Sequence, residues 1–119
     1  IMPIEKYPDC YKIGRKISEK HNIPYTVTGR CVGVGHSMMF AWTYAFNRAE
    51  PDTIRHAKEA LHETDDIVVE LGGVIWKPGI YGQKLIMERL DPATRELMKK
   101  IKKLLDPNGI MNPGNWDVK

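Results

Sequence analysis

At 119 residues, 42% hydrophobic and 28% charged, the chain has the composition of one compact globular domain. No apolar run approaches the roughly 20 residues of a membrane-spanning helix, which excludes an integral helical membrane protein. The net charge of +3 comes from 18 basic and 15 acidic residues and is concentrated at Lys99, Lys100, Lys102 and Lys103. That run reads as a solvated helix face, and no nucleic-acid partner is expected.

Taken in chain order, Met2 to Ile4 is a candidate edge strand. Pro8 and Asp9 then stand where the first turn of a helix favours proline and acid, and Tyr11, Ile13 and Ile17 follow at helical spacing up to about Asn22. Pro24 ends that helix. Tyr25, Val27 and Cys31 open a β-rich stretch broken by Gly29, Gly33 and Gly35, best read as two strands joined by a glycine turn.

From His36 to Phe46 the residues alternate. His36, Met38, Phe40, Trp42, Tyr44 and Phe46 share one face, and Ser37, Met39, Ala41, Thr43 and Ala45 share the other. Both faces are largely apolar, so both are expected to be covered. Pro51 and Asp52 start a second helix with a buried stripe of Ile54, Ala57, Leu61, Ile67, Val68 and Leu71, closed by Gly72 and Gly73. After a segment punctuated by glycine and proline, Lys84 to Leu90 reads as a short helix. Asp91 and Pro92 cap another, striped by Leu97, Met98, Ile101, Leu104 and Leu105.

This order predicts an α+β fold, ferredoxin-like in outline: a small antiparallel sheet with helices on one face, followed by C-terminal helices. Cys10 and Cys31 match no Cys-x-x-Cys spacing and nothing resembles a secretory signal, so reduced thiols and a cytoplasmic location are expected. Ile1 precedes Met2, and on that ground the chain is expected to be a piece of a longer polypeptide.

The last part of the chain is the most informative. A lysine-rich helix is stopped by Asp106-Pro107, Gly109 is free to take positive φ, and Asn112-Pro113-Gly114 forms a second turn. Two rigid turns at fixed separation after a basic helix resemble the C-terminal signature of the FAD-linked oxidases, the superfamily of vanillyl-alcohol oxidase and the glycolate and D-lactate dehydrogenases. The resemblance continues upstream through Gly72-Gly73-Val74-Ile75-Trp76-Lys77-Pro78-Gly79 and through Arg30 to Met38, and covers most of residues 7 to 116. It implies that residues 1–119 are the C-terminal part of a cap or substrate domain. It also implies that FAD is bound mainly by a separate FAD-binding domain not present in this chain. No Gly-x-Gly-x-x-Gly phosphate loop occurs here.

Hydroxy-acid dehydrogenases of the superfamily place histidines around a Gly-Asp-Gly core and a Glu-His pair after the later glycines. The matching positions here read Cys31, Val34, Met38, Lys77 and Pro78. Sulfur suits a hard metal poorly and Lys77 adds positive charge, so no metal is expected. The resemblance instead nominates Trp76 and Lys77 as an aromatic and a cation for an anionic substrate, with Arg30 as the bidentate alternative. Lys77 and Arg30 also read plainly as surface charges.

His36 is a candidate general base, since imidazole titrates near neutrality, and is equally readable as a structural histidine. Asn112 is the candidate flavin-ring contact, because in the family the tail returns to the ring. The aromatic row Phe40, Trp42, Tyr44 and Phe46 reads first as core and second as a pocket wall.

The leading function is therefore the substrate-side part of a flavin-dependent oxidoreductase acting on an alcohol, phenol or 2-hydroxy acid. The competing reading is a non-catalytic ferredoxin-like interaction module that forms homo-oligomers through its sheet.

Overall fold

The computed structural model describes residues 1–116. The chain divides into two compact units, Ile1–Trp76 and a second from Lys77 onward.

In the first unit, β1 (Met2–Pro3) leads through a 3-10 turn (Ile4–Lys6) into α1 (Tyr7–His21); β2 (Tyr25–Val32), β3 (Ser37–Tyr44) and α2 (Pro51–Glu70) follow. The sheet is antiparallel in the order β1-β3-β2, with Met2 opposite Met38 and Tyr25 opposite Tyr44. This is the strand-helix-strand-strand-helix part of a ferredoxin-like arrangement.

Ile4 donates to the His36 carbonyl at the β3 side, whereas Ile1 exchanges two hydrogen bonds with Val74, at 2.5 and 2.7 Å. Successive residues of the first strand therefore turn to opposite sides. Pro3, which has no N–H to give, falls on the side away from β3, where a proline costs no ladder bond.

Both helices cover one face of the sheet. The side chains that meet them are those of Tyr25, Val27, Phe40, Trp42 and Tyr44, which the register places together. α1 buries Cys10, Gly14 and Ile17 rather than the expected Tyr11, which is 44% exposed. Cys10 and Gly14 are small because the helix comes close to the sheet there. A Cβ on Gly14 would stand 2.2 Å from Trp42 Nε1, and that indole N–H donates to the Cys10 carbonyl at 3.1 Å.

On α2 the same logic selects Ala57, Ala60 and Thr64, while Leu61 stays 47% exposed. The Thr64 hydroxyl donates to the Ala60 carbonyl, so the Tyr44 hydroxyl, 2.6 Å away, is the donor to Thr64. Burial raises the Tyr44 hydroxyl above its ordinary pKa. Two apolar clusters result, one around Met2, Cys10, Met38, Phe40 and Val68, the other around Ile17, Ile23, Ala57 and Ala60.

α1 ends at Asn22, which takes the left-handed conformation (φ 48°), and Ile23 donates to the Ser18 carbonyl at 3.0 Å. The opposite face of the sheet, carrying Thr28, Arg30, Met39 and Ala41, is not sealed as expected. Thr28 and Arg30 are exposed, and Met39 and Ala41 only half-buried.

The second unit holds α3 (Ile80–Arg89) and α4 (Pro92–Leu105) followed by turns. α3 starts four residues earlier than the sequence suggests, immediately after the extended Gly79. α4 carries its predicted apolar stripe but buries none of it: Leu104 is 80% and Leu105 70% exposed.

Candidate functional site

The tail that carries the family-like turns is built by α4 and by its own polar side chains. Asp91 caps α4, accepting the Thr94 N–H at 2.9 Å and the Thr94 hydroxyl, and the Thr94 bonds hold its carboxyl below the usual range. Pro92 follows at the position that needs no N–H.

At the other end Asp106 leaves the helix (φ −141°) and turns its carboxylate back over the next five residues. One oxygen accepts the Ile110 N–H and the other the Met111 N–H, both at 2.9 Å. Lys102, one turn earlier, donates to the second oxygen at 2.5 Å and to the Met111 carbonyl at 2.6 Å. Asp106 is buried, and the Lys102 ammonium, then the two loop amides, hold its carboxyl below the ordinary range. Gly109 takes φ 65° within the loop, which a side chain would resist.

Downstream, Asn112 lies in the left-handed region (φ 45°) and its carbonyl accepts the Asn115 N–H at 3.2 Å, closing the second turn. The Asn112 side chain is exposed. Between α4 and this tail runs an open groove of about 650 Å³, lined by Met98, Ile101, Leu105 and Trp116 with the amides of Asn112 and Asn115. The groove offers apolar walls and a few neutral hydrogen-bonding groups. Its one cation, Lys102, is already committed to Asp106.

The remaining sequence-predicted residues fall elsewhere. Arg30 is on β2 opposite Met39, exposed and on the face turned away from the helices. His36 ends the Gly33–His36 turn, with its side chain exposed, so the hairpin brings Arg30 and His36 toward the same end of the sheet. Trp76, 60% exposed, closes the first unit, and Lys77, also exposed, opens the second.

Phe40 and Trp42 meet edge to face at 4.6 Å under α1, with Tyr7 against Phe40 at 5.4 Å. Phe46 lies beyond the strand, 45% exposed. Of the positions matching the family's metal set, Cys31 is exposed and Met38, directly across the sheet, is buried. Among the described residues no three or more His, Cys, Asp or Glu side chains are grouped to hold a metal ion.

Two residues with evident roles in shaping the tail escaped sequence reasoning. Asp106 reads there only as a helix stop, although an aspartate before Pro-Asn-Gly is a known local acceptor for loop amides. Gln83 is buried and bonds residues more than 30 positions away, which no local pattern reveals. Elsewhere, His21 and Lys20 converge on Glu63, each at 2.8 Å, tie α1 to α2 and hold the Glu63 carboxyl below its usual range. No helix among the described residues is long and apolar enough to cross a membrane.

The family described as FAD linked oxidases, C-terminal domain, matches residues 1–116. Among curated proteins, a D-2-hydroxyglutarate dehydrogenase from Haemophilus influenzae is 26% identical over 120 aligned residues, covering 95% of this chain and 11% of that protein. The chain thus spans about a tenth of the length of that relative. No solved structure matches it.

Proposed function

The chain belongs to the family of FAD-linked oxidase C-terminal domains, and we propose that it is the substrate-side part of a flavin-dependent oxidoreductase that oxidises an alcohol, phenol or 2-hydroxy acid. The observation that carries this reading is the tail from Asp106 to Trp116. It lies inside the family match, and the Asp106 carboxylate fixes its first turn while the Asn112 amide stays exposed. Within the proposed range a 2-hydroxy acid is favoured, because the similar protein from Haemophilus influenzae is a D-2-hydroxyglutarate dehydrogenase.

Gly72 and Gly73 do not suit a flavin diphosphate. They close α2, where Gly73 donates to the Val68 carbonyl at 2.8 Å. That is the negative pole of the helix, whereas a phosphate cradle needs the positive one. Asn112 presents a neutral amide, able to donate to or accept from a ring heteroatom. A separate FAD-binding module is the proposed partner, and the cytoplasm the proposed location.

FAD, when bound, supplies the acceptor for the hydride that leaves the substrate carbon. This chain's share is to bind and orient. Arg30 and Lys77 are each proposed as an anchor for a carboxylate or phenolate, Arg30 through a two-pronged contact and Lys77 as a point charge, and Trp76 is the proposed aromatic contact. His36 takes the hydroxyl proton as the carbon–oxygen double bond forms.

The test is to purify the full-length protein, measure its flavin content, and follow reduction of an artificial electron acceptor with 2-hydroxy acids and with phenols. Bound FAD and turnover of one of these classes support the proposal. A protein that holds no flavin and rejects added FAD overturns it.

A further inference from the structure

Gln83 is one of the few buried polar side chains, and both ends of its amide are used. The nitrogen donates to the Pro78 carbonyl and to the Asn115 side-chain oxygen, each at 3.2 Å. The oxygen accepts the Trp116 N–H at 2.7 Å. Three bonds from one rigid amide therefore tie together two stretches of chain. One stretch enters α3 directly after Lys77; the other is the turn that begins at Asn112 and closes with Asn115.

The amide is suited to this task. It needs a donor toward two oxygens and an acceptor toward one N–H, a combination that only Asn and Gln side chains offer in fixed geometry. Glutamate would put a charge beside two carbonyl oxygens, and an apolar residue would leave the Trp116 N–H without its partner. The strained positions lie beside the attachment points: Asn112 at φ 45° and Trp116 at φ 57° are both left-handed without being glycine. Such conformations are disfavoured for residues that carry a Cβ and persist when surrounding bonds over-determine them.

We propose that Gln83 is a positioning residue that sets the Lys77 segment and the Asn112 turn in fixed register, so that the proposed substrate anchor and the proposed flavin contact move as one piece. This inference rests on the flavoenzyme reading above. It adds a specific cause for catalytic efficiency that lies in neither segment.

The experiment uses the full-length flavoprotein carrying Gln83→Met, which keeps side-chain length and removes all three bonds, and Asn115→Ala, which removes one of the two bonds to the tail. Both are compared with the unsubstituted enzyme for FAD content, visible flavin spectrum, kcat and KM. The expected result for Gln83→Met is full FAD content, an altered flavin absorption band and a loss of about tenfold or more in kcat, since a misplacement near 1 Å can cost on the order of 100-fold. Asn115→Ala is expected to show the same signature in weaker form.

If Gln83→Met does not fold, Asn115→Ala carries the test with the same readouts. Unchanged spectrum and kinetics in the folded variants overturn the positioning role while leaving the flavoenzyme reading intact. An unsubstituted protein without FAD overturns the flavoenzyme reading itself, and the proposed role with it.

Discussion

The Lys102 ammonium and the Asp106 carboxylate meet at 2.5 Å across one turn of α4, and the same carboxylate holds the N–H groups of Ile110 and Met111. One buried aspartate thereby converts the end of a helix into the start of a fixed loop. Because its folded-state pKa is depressed, its contribution is fully present above the ordinary carboxylate value of about 4 and is lost as pH falls through the lower folded value. Hydrogen-exchange protection of the Ile110 and Met111 amides is therefore expected to hold from neutral to mildly acidic pH and to fail only below about pH 4. Asp106→Asn is expected to lower protection at both amides at neutral pH and to abolish this acid transition. Unaltered protection in Asp106→Asn would contradict the loop's proposed origin.

A second prediction concerns α1 and sets two effects against each other. Gly→Ala inside a helix gains up to about 1 kcal/mol from propensity alone. At Gly14 the added methyl would meet Trp42 at 2.2 and 2.3 Å and Tyr25 at 3.2 Å, and the indole is held by its bond to Cys10. Overpacking of this kind costs about 1–3 kcal/mol, so Gly14→Ala is expected to be a net destabilisation in chemical denaturation. In a Trp42→Val background the same change is expected to become neutral or stabilising. A stabilised Gly14→Ala single variant would show that the helix does not approach the sheet as described.

The two cysteines are expected to separate cleanly under alkylation. Cys10 is fully buried and its thiol is pushed up mainly by that burial, whereas Cys31 is exposed on β2. A maleimide applied to the native protein is expected to label Cys31 alone, and both residues in denaturant, as read by peptide mass. Native labelling of Cys10 at a comparable rate would contradict the packing of β1 against α1.

Much of the fold was legible because local chemistry dictates it. The glycine turn between β2 and β3, proline in the first turn of α1, the close of α2 before Gly72 and the Asp91 cap all sit within a few residues of what determines them. Periodicity also identified α4, but an apolar stripe states only that a helix has an apolar face. It does not say that the face is covered, and Leu104 and Leu105 are exposed. The face assignment of Phe40, Trp42 and Tyr44 followed from alternation, whereas the cover on the opposite face was inferred from apolarity alone and is incomplete. Which small residues line α1 and α2 depends on how near each helix lies to Trp42 and Tyr44, a distance the sequence does not contain. In the tail, the turn residues announced themselves, but the two polar groups that fix them did not. Asp106 acts through its side chain on amides four and five residues on, and Gln83 across more than 30 residues.

For the proposed substrate contacts, Arg30→Met and Lys77→Met in the full-length enzyme are expected to weaken an anionic substrate by about tenfold in kcat/KM, the scale of one lost charge-assisted hydrogen bond. The effect should be larger for Arg30 if the anion is held by two prongs. A neutral substrate analogue should lose much less. Equal losses for charged and neutral substrates would remove both residues from anion binding.

The central claim, that this chain is part of an FAD-dependent oxidoreductase, is tested most directly by the visible absorption of the purified full-length protein, with the released chromophore identified by mass. A yellow protein that releases FAD in about one-to-one ratio and is bleached by its substrate is the predicted result. A colourless full-length protein that takes up no FAD when the cofactor is supplied would contradict it.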